Sequence, residues 1–269
     1  MIEWSDTDLM IRDAVREFID KEVRPHVDAL ESGELPPYPI IRKLFSEFGI
    51  DVMAAEAVKT MLDKQRAKQS AAEVASEGKS ERGIGGMAQQ ASMAAIVVGE
   101  LAGVSLGMVA AVGVSIGLGA ATIMERGTLA QKERWLPGLV TMEKVAAWAI
   151  TEPDSGSDAF GGMKTYVRRD GDDYILNGQK TFITNGPYAD TVVVYAKLDE
   201  GDGSEKRGRQ VLTFVLDAGM PGFVQGKPFK KMGMMSSPTG ELFFDNVRLG
   251  RDRLLGEREP VEGDRKSVV

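Results

Sequence analysis

The hydrophobic pattern of the chain changes near Val145, and this change limits the folds that the chain can adopt. Between Leu9 and Phe18 apolar residues recur at helical spacing. Residues 191–197 instead form a short β-prone run, and turn dipeptides such as Asn177-Gly178 separate several runs of this kind. Because the two periods suit different elements, the change of period predicts an α+β chain, with helices before strands.

The change of period also predicts the domain boundaries. Residues 1–144 are predicted to form an all-α N-terminal helical domain, and residues 145–256 a middle domain that is an antiparallel β-barrel or sandwich. Residues 257–269 are charged and without periodicity. They are predicted to be a linker or the truncated start of a further domain.

Composition removes several classes of function. The absence of cysteine rules out disulfides and thiolate metal sites and fits a reducing compartment. A net charge of −7, with no dense basic face, argues against a nucleic-acid partner. The lone histidine, His26, has no neighbours for a triad, and no metal site is predicted. The first residues do not resemble a signal peptide, so the predicted location is cytoplasmic.

Two stretches of the helical half need separate interpretation. Leu101 to Met124 carries no charge and is long enough to span a bilayer. Gly103-Val104-Ser105 suits a break between two helices, so a buried helical hairpin is predicted rather than a membrane span. Asp51 to Arg82 has few large apolar residues, and we expect an exposed helix that is the least ordered part of the chain, followed by a loop at residues 83–86.

The segment TEPDSGSD, residues 151–158, follows the strand-like run that ends at Ile150. It gathers hydroxyl groups and backbone N–H groups in one turn, which would suit a phosphate or a ring carbonyl. A plain strand-ending turn explains the same residues equally well.

A second segment, QKTFITNG at residues 179–186, places Phe182 and Thr184 two positions apart. On a strand both side chains point to the same face, and an aromatic ring beside a hydrogen-bond donor suits a flat heterocycle. A core phenylalanine beside a surface threonine is the structural alternative.

Three motifs in order, TEPDSGSD, LNGQKTFITNG and KKMGMMSSPTGELFFDNVRL, resemble the acyl-CoA dehydrogenase family. The resemblance covers the middle domain and extends back to GTLAQKERWL at residues 127–136. It implies FAD as the cofactor, an acyl-CoA substrate, an electron-transfer flavoprotein as oxidant and a homo-oligomer, a tetramer when complete.

The resemblance also implies roles for single residues. Ile150 and Thr151 would bind the pyrimidine edge of FAD, and Ser157 would meet the pyrophosphate and lie near the pantetheine of CoA. Phe182 would pack on one face of the isoalloxazine, and Thr184 would donate to flavin N5. The full set of implied cofactor-binding residues is Trp148, Ile150, Thr151, Gly156, Ser157, Phe182, Ile183 and Thr184, with Ser157 also on the substrate.

Members of the family remove the α-proton of an acyl-CoA thioester with a glutamate while the β-hydrogen leaves as hydride to N5, giving a trans-2-enoyl-CoA. In the family that glutamate lies in a C-terminal helical domain, which we expect these 269 residues not to include. No catalytic residue is therefore assigned, and the chain alone is predicted to be inactive. Glu152 is interpreted as structural. The alternatives are an acyl-CoA oxidase or flavin monooxygenase of the same architecture, and a non-catalytic flavin- or CoA-binding scaffold.

Overall fold

The computed structural model describes residues 4–72, 84–201 and 206–259. Within them helices occupy the chain up to Val140 and strands dominate from Ala146 onward, so the predicted α+β class is confirmed. The helices are α1 (Asp6–Phe18), α2 (Val27–Ser32), α3 (Tyr38–Glu47), α4 (Ile50–Ala72), α5 (Ile84–Ala102), α6 (Leu106–Val112), α7 (Ala121–Arg126), α8 (Leu129–Val140) and α9 (Ala159–Gly162). The strands are β1 (Ala146–Ala149), β2 (Tyr166–Asp170), β3 (Asp173–Thr184), β4 (Thr191–Leu198), β5 (Val211–Asp217), β6 (Phe223–Gln225) and β7 (Thr239–Leu249).

The strands form one sheet that is mixed rather than antiparallel. Its order is β1-β4-β2-β3-β7-β6, and β5 also pairs with β4. The pairs β1–β4 and β2–β4 are parallel, so the expectation of an antiparallel sheet is wrong for these two pairs. Parallel neighbours need long connections, here residues 150–190 between β1 and β4, whereas turn dipeptides reveal only local hairpins.

Strand β4 is the centre of the structure, and all its residues are buried. Val192 and Val194 belong to the core that the sheet encloses. Val193 and Tyr195 belong to a second core, which includes Trp135 of α8 and other helical residues. Because alternate residues of a strand point to opposite faces, β4 joins the helical half to the sheet.

The helical run from α6 to α7 packs directly on β1. A π-helical segment, Gly113–Ala120, connects the two helices. The Ser115 hydroxyl accepts a hydrogen bond of 2.9 Å from the backbone N–H of Ala146. At Gly119 a side chain is excluded, since a Cβ there would lie 2.5 Å from the Cβ of Ala146. Glycine therefore permits the close approach of this helix to the sheet.

This helical run overlaps the uncharged stretch from Leu101 to Met124, which is long enough to span a bilayer. By length and composition alone, Leu106–Arg126 could cross a bilayer, a test that core helices of water-soluble proteins also pass. The helices α5 and α6 are separated at residues 103–105, as the sequence predicts for a helical hairpin. Ser115 and Gly119 face β1 within this run.

Helix α4 covers most of the segment that was expected to be exposed. Most of its side chains are exposed, but Val58 and Leu62 are buried in the core that α4 shares with α8 and β4. The remainder of the expected least-ordered segment, residues 73–82, lies outside the described residues, as does Gly83. The loop expected at residues 83–86 is wrong for residues 84–86, which form the first turn of α5.

The packing of α6–α7 on β1 predicts the effect of two matched substitutions. Gly119→Ala would place a methyl group against Ala146 and should lower the free energy of unfolding by about 1–3 kcal/mol, the usual cost of overpacking. Gly117→Ala, two residues away, meets nothing within 4 Å and should leave stability unchanged or raise it slightly. Urea denaturation of both variants checks this, and equal stabilities would contradict the close approach at Gly119.

Candidate functional site

The turn that follows β1, residues 150–158, is held by a buried carboxylate. Glu152, only 5% exposed, accepts hydrogen bonds from the backbone N–H groups of Lys164, at 2.6 Å, and Thr165, at 3.0 Å. Its Oε1 also accepts from Lys180 Nζ at 2.9 Å. Because these groups occupy both carboxylate oxygens, Glu152 fixes the return of the chain towards β2, in agreement with its interpretation as structural.

Lys180 on β3 completes this arrangement. Its side chain is fully buried, and its ammonium group also donates to the carbonyl of Ile150 at 3.0 Å. Burial lowers the pKa of Lys180 to about 8, against the opposing effect of the Glu152 charge. Burial alone would raise the pKa of Glu152, but the charge of Lys180 and three hydrogen bonds hold that pKa below its usual value. Both groups are therefore charged at neutral pH.

The ion pair brings together two segments that the sequence predicts for one site. The backbone N–H of Thr181 donates to the carbonyl of Thr151 at 2.9 Å, beside the bond from Lys180 to Ile150. The end of β1 and residues 180–184 of β3 are thus neighbours. Ile150 and Thr151 from the first motif lie next to the strand that carries Phe182 and Thr184 from the second.

A β-bulge in β3 determines the direction of Phe182. The pairing of β3 with β7 shifts between Lys180 and Ile183, and Phe182 has a φ of 55°. Positive φ is unusual for a bulky residue, and bulges often redirect a side chain next to a functional site. As a result the Phe182 ring is 68% exposed, whereas Ile183 is buried in the core of the sheet.

Thr184 lies two residues after Phe182, beyond the buried Ile183. It is half-buried, and its hydroxyl group has no hydrogen-bond partner among the residues that the structure describes. An unsatisfied hydroxyl beside an exposed ring is available to a ligand. The alternative of a core phenylalanine beside a surface threonine is wrong, because Phe182 lies outside the core.

Gly156 and Ser157 lie at the exposed tip of the 150–158 turn. Backbone hydrogen bonds between Glu152 and Ser155 close the turn, and the Ser155 hydroxyl donates to the carbonyl of Asp158 at 2.6 Å. The space around Gly156 is open. The buried Ser155 therefore holds the turn, while the exposed Ser157 is free to meet a ligand.

The side chain of Trp148, one of the candidate cofactor-binding residues, already contacts Tyr195 within the protein. Its ring packs edge-on against Tyr195, with centroids 5.3 Å apart, and its indole N–H donates to the Tyr195 hydroxyl at 3.2 Å. The indole remains half-buried at the side of the second core. Only its apolar surface is left for a cofactor, because its one donor is already satisfied.

Sequence reasoning missed the part played by Asn185, which ends the second motif. Its amide donates to the carbonyls of Ala111, at 2.9 Å, and Ala146, at 3.0 Å, and its Oδ1 accepts from the Tyr38 hydroxyl at 3.0 Å. Its φ of 64° is one that asparagine tolerates better than most residues. An asparagine directly before a glycine at a strand end is the only local signal for this conformation, and it does not indicate the three partners.

Comparison with known proteins identifies the family. The model for the acyl-CoA dehydrogenase middle domain matches residues 147–247, and that for the N-terminal domain matches residues 79–143. The chain belongs to the acyl-CoA dehydrogenase family. The site described above lies within the middle-domain match.

Individual acyl-CoA dehydrogenase relatives agree with this assignment along almost the whole chain. A probable acyl-CoA dehydrogenase of Bacillus subtilis is 30% identical over 95% of this chain and 37% of its own length. The structure of butyryl-CoA dehydrogenase from Megasphaera elsdenii matches with a TM-score of 0.73 at 30% identity, over 96% of this chain and 60% of its own. A glutaryl-CoA dehydrogenase from Mycobacterium smegmatis in complex with FADH2 gives a TM-score of 0.68 at 28% identity, over 96% of this chain and 57% of its own. The chain thus spans between about a third and three fifths of these relatives.

The buried ion pair predicts a large effect of a conservative change. Glu152→Gln would leave the Lys180 charge without its counter-ion, and the free energy of unfolding should fall by roughly 3–5 kcal/mol. Asp154→Asn is the matched control in the same turn, because Asp154 pairs with Lys164 at the surface and should contribute little. Chemical denaturation at pH 7 measures both variants, and equal losses would contradict the assigned role of Glu152.

The same pair predicts a pH dependence. The pKa of Glu152 lies below its usual value of 4.5 in the folded protein, so the unfolded chain binds more protons as the pH falls. The stability that Glu152 contributes is therefore present above pH 4.5 and is lost as the pH falls through the folded-state pKa. Below pH 4.5 the parental protein should lose stability more steeply than Glu152→Gln. Parallel curves would exclude this contribution.

Proposed function

We propose that this chain supplies the flavin-binding face of an FAD-dependent enzyme that dehydrogenates an acyl-CoA thioester to a trans-2-enoyl-CoA. The observation that carries the proposal is the placement of Phe182 and Thr184. An exposed aromatic ring and a hydroxyl group with no partner among the described residues lie two positions apart at the end of β3, beside the turn that contains Thr151 and Ser157. Membership of the family supports the same conclusion.

The residues present fit FAD in chemistry and in accessibility. The Phe182 ring would cover one face of the isoalloxazine, and the hydroxyl groups of Thr151 and Thr184 would meet its polar edge. The open space at Gly156 and the exposed Ser157 would accommodate the pyrophosphate. Ile150 would take part through its backbone, whose position is fixed by the hydrogen bond from Lys180 to its carbonyl.

FAD supplies, when bound, the acceptor for the hydride that leaves the acyl β-carbon. Thr184 would donate a hydrogen bond towards flavin N5, and the donors at the pyrimidine edge would stabilise the negative charge that develops on the ring. Phe182 would exclude water from the ring face that it covers. The chain's own residues would therefore bind and orient FAD and would stabilise the negative charge on its ring by electrostatics.

Removal of the α-proton requires a carboxylate within about 3 Å of it. Glu152 does not meet this need, because hydrogen bonds occupy both of its oxygens and its pKa is lowered. We therefore propose that a carboxylate other than Glu152 supplies the base. An electron-transfer flavoprotein is the proposed oxidant.

A comparison of two rates would separate a dehydrogenase from an oxidase. These are the turnover of acyl-CoA with an artificial electron acceptor and the consumption of oxygen with acyl-CoA.

The role of Thr184 can be tested by stopped-flow measurement of anaerobic flavin reduction in the full-length protein. Loss of one donor at an oxyanion-type contact slows a reaction about 10²–10³-fold, and the loss of a neutral hydroxyl should cost less. We expect Thr184→Ala to slow reduction while FAD retention stays close to the parental level. Thr184→Ser, which keeps the hydroxyl, should recover most of the rate. Reduction of Thr184→Ala at the parental rate would exclude this role.

A further inference from the structure

The connection between β6 and β7, residues 226–238, forms a defined structure that we call the Phe229 loop. At its start the backbone N–H of Gly226 donates to the carbonyl of Glu241 at 2.8 Å. Three residues later the N–H of Phe229 donates to the carbonyl of Thr239, also at 2.8 Å. These bonds continue the pairing with β7 beyond the end of β6 and fix the backbone at Phe229.

Lys231 holds the rest of the loop from within. Its ammonium group donates to the carbonyls of Met234, at 2.8 Å, and Ser237, at 2.5 Å, and to the Thr239 hydroxyl at 3.1 Å. These three acceptors satisfy all of its protons. Met234 has a φ of 53°, so the backbone turns sharply at the point that Lys231 secures. The loop is therefore closed on itself by one side chain.

The helical half also holds the loop. Glu31 of α2 accepts from the Ser236 hydroxyl at 2.6 Å and from the backbone N–H of Met235 at 3.3 Å. Ser236, which is fully buried, lies 2.9 Å from the Ser105 hydroxyl, oxygen to oxygen. The position of the loop thus depends on both halves of the chain.

This anchored loop places the Phe229 ring against Phe182. The ring centroids are 5.6 Å apart and the planes are inclined by 66°, a favourable edge-to-face geometry. No other ring of the described residues contacts Phe182. Phe182 combines a strained backbone with a largely exposed side chain, so without Phe229 its ring would have more than one orientation.

We propose that Phe229 is a positioning residue, which holds the Phe182 ring in the orientation that receives the isoalloxazine. The inference rests on the proposed function, because it requires a flavin against Phe182. Phe229 acts through Phe182. Its removal should therefore weaken FAD binding and change the flavin environment, with no effect of its own once Phe182 is absent.

The test is a double-mutant cycle in the full-length protein, with the Kd for FAD and the visible spectrum of the bound flavin as readouts. Phe229→Ala should raise the Kd about 2- to 10-fold, the ratio that the loss of an aromatic pair gives. In a Phe182→Ala background the same change should have no further effect. Phe229→Tyr should restore the parental Kd, and Phe229→Leu, which keeps bulk without the ring, should not. Met232→Ala is the control, because Met232 lies in the same loop with its side chain fully exposed.

The possible outcomes separate the inference from the proposed function. A parental Kd and spectrum for Phe229→Ala would overturn the inference, as would an equal loss of affinity in the Phe182→Ala background. Failure of the parental protein to bind FAD would instead refute the proposed function, and the inference with it. The free energy of unfolding of each apo variant shows whether a loss of affinity reflects a loss of folded protein.

Discussion

The amide of Asn185 joins the two halves of the chain by buried hydrogen bonds. One buried side chain satisfies a carbonyl of α6 and a carbonyl of β1 and also accepts from a tyrosine of α3. No hydrophobic residue could replace it, since three buried polar groups would then lose a partner. Asn185 directly follows Thr184, so the junction of helices and sheet also fixes the end of the strand that carries the candidate site.

The ion pair of Glu152 and Lys180 has the corresponding role on the other side of the site. Each member comes from a different motif, 28 residues apart in sequence, and together they join the turn after β1 to the bulge in β3. A buried pair of charges is a poor source of net stability, but it admits few alternative arrangements when every hydrogen bond is made. Thr184 and Ser157, whose hydroxyl groups have no partner among the described residues, are thus carried by segments that fully bonded residues hold in place.

Sequence alone predicted the class of fold and the candidate residues better than it predicted their geometry. The change of period near Val145 and the order of the motifs depend on local patterns, which a sequence displays directly. The parallel pairing of β1 with β4 depends on contacts across residues 150–190, and no turn signal encodes such contacts. The sequence also could not predict the bulge that exposes Phe182, or the three partners of Asn185. The reason is the same, because register and tertiary hydrogen bonds follow from the assembled sheet.

The burial of strand β4 on both faces and along both edges determines how the protein unfolds. β5 lies along one of its edges and β1, followed by β2, along the other, while both of its faces are buried in separate cores. Its amide hydrogens can therefore reach water only if the sheet separates and the helices leave it. We expect such amides to exchange through global unfolding, and those at the exposed tip of the 150–158 turn, Gly156 and Ser157, to exchange through small local openings. The helical half and the sheet should therefore open together, whereas the exposed tip at Gly156 and Ser157 can move without breaking the pair of Glu152 and Lys180.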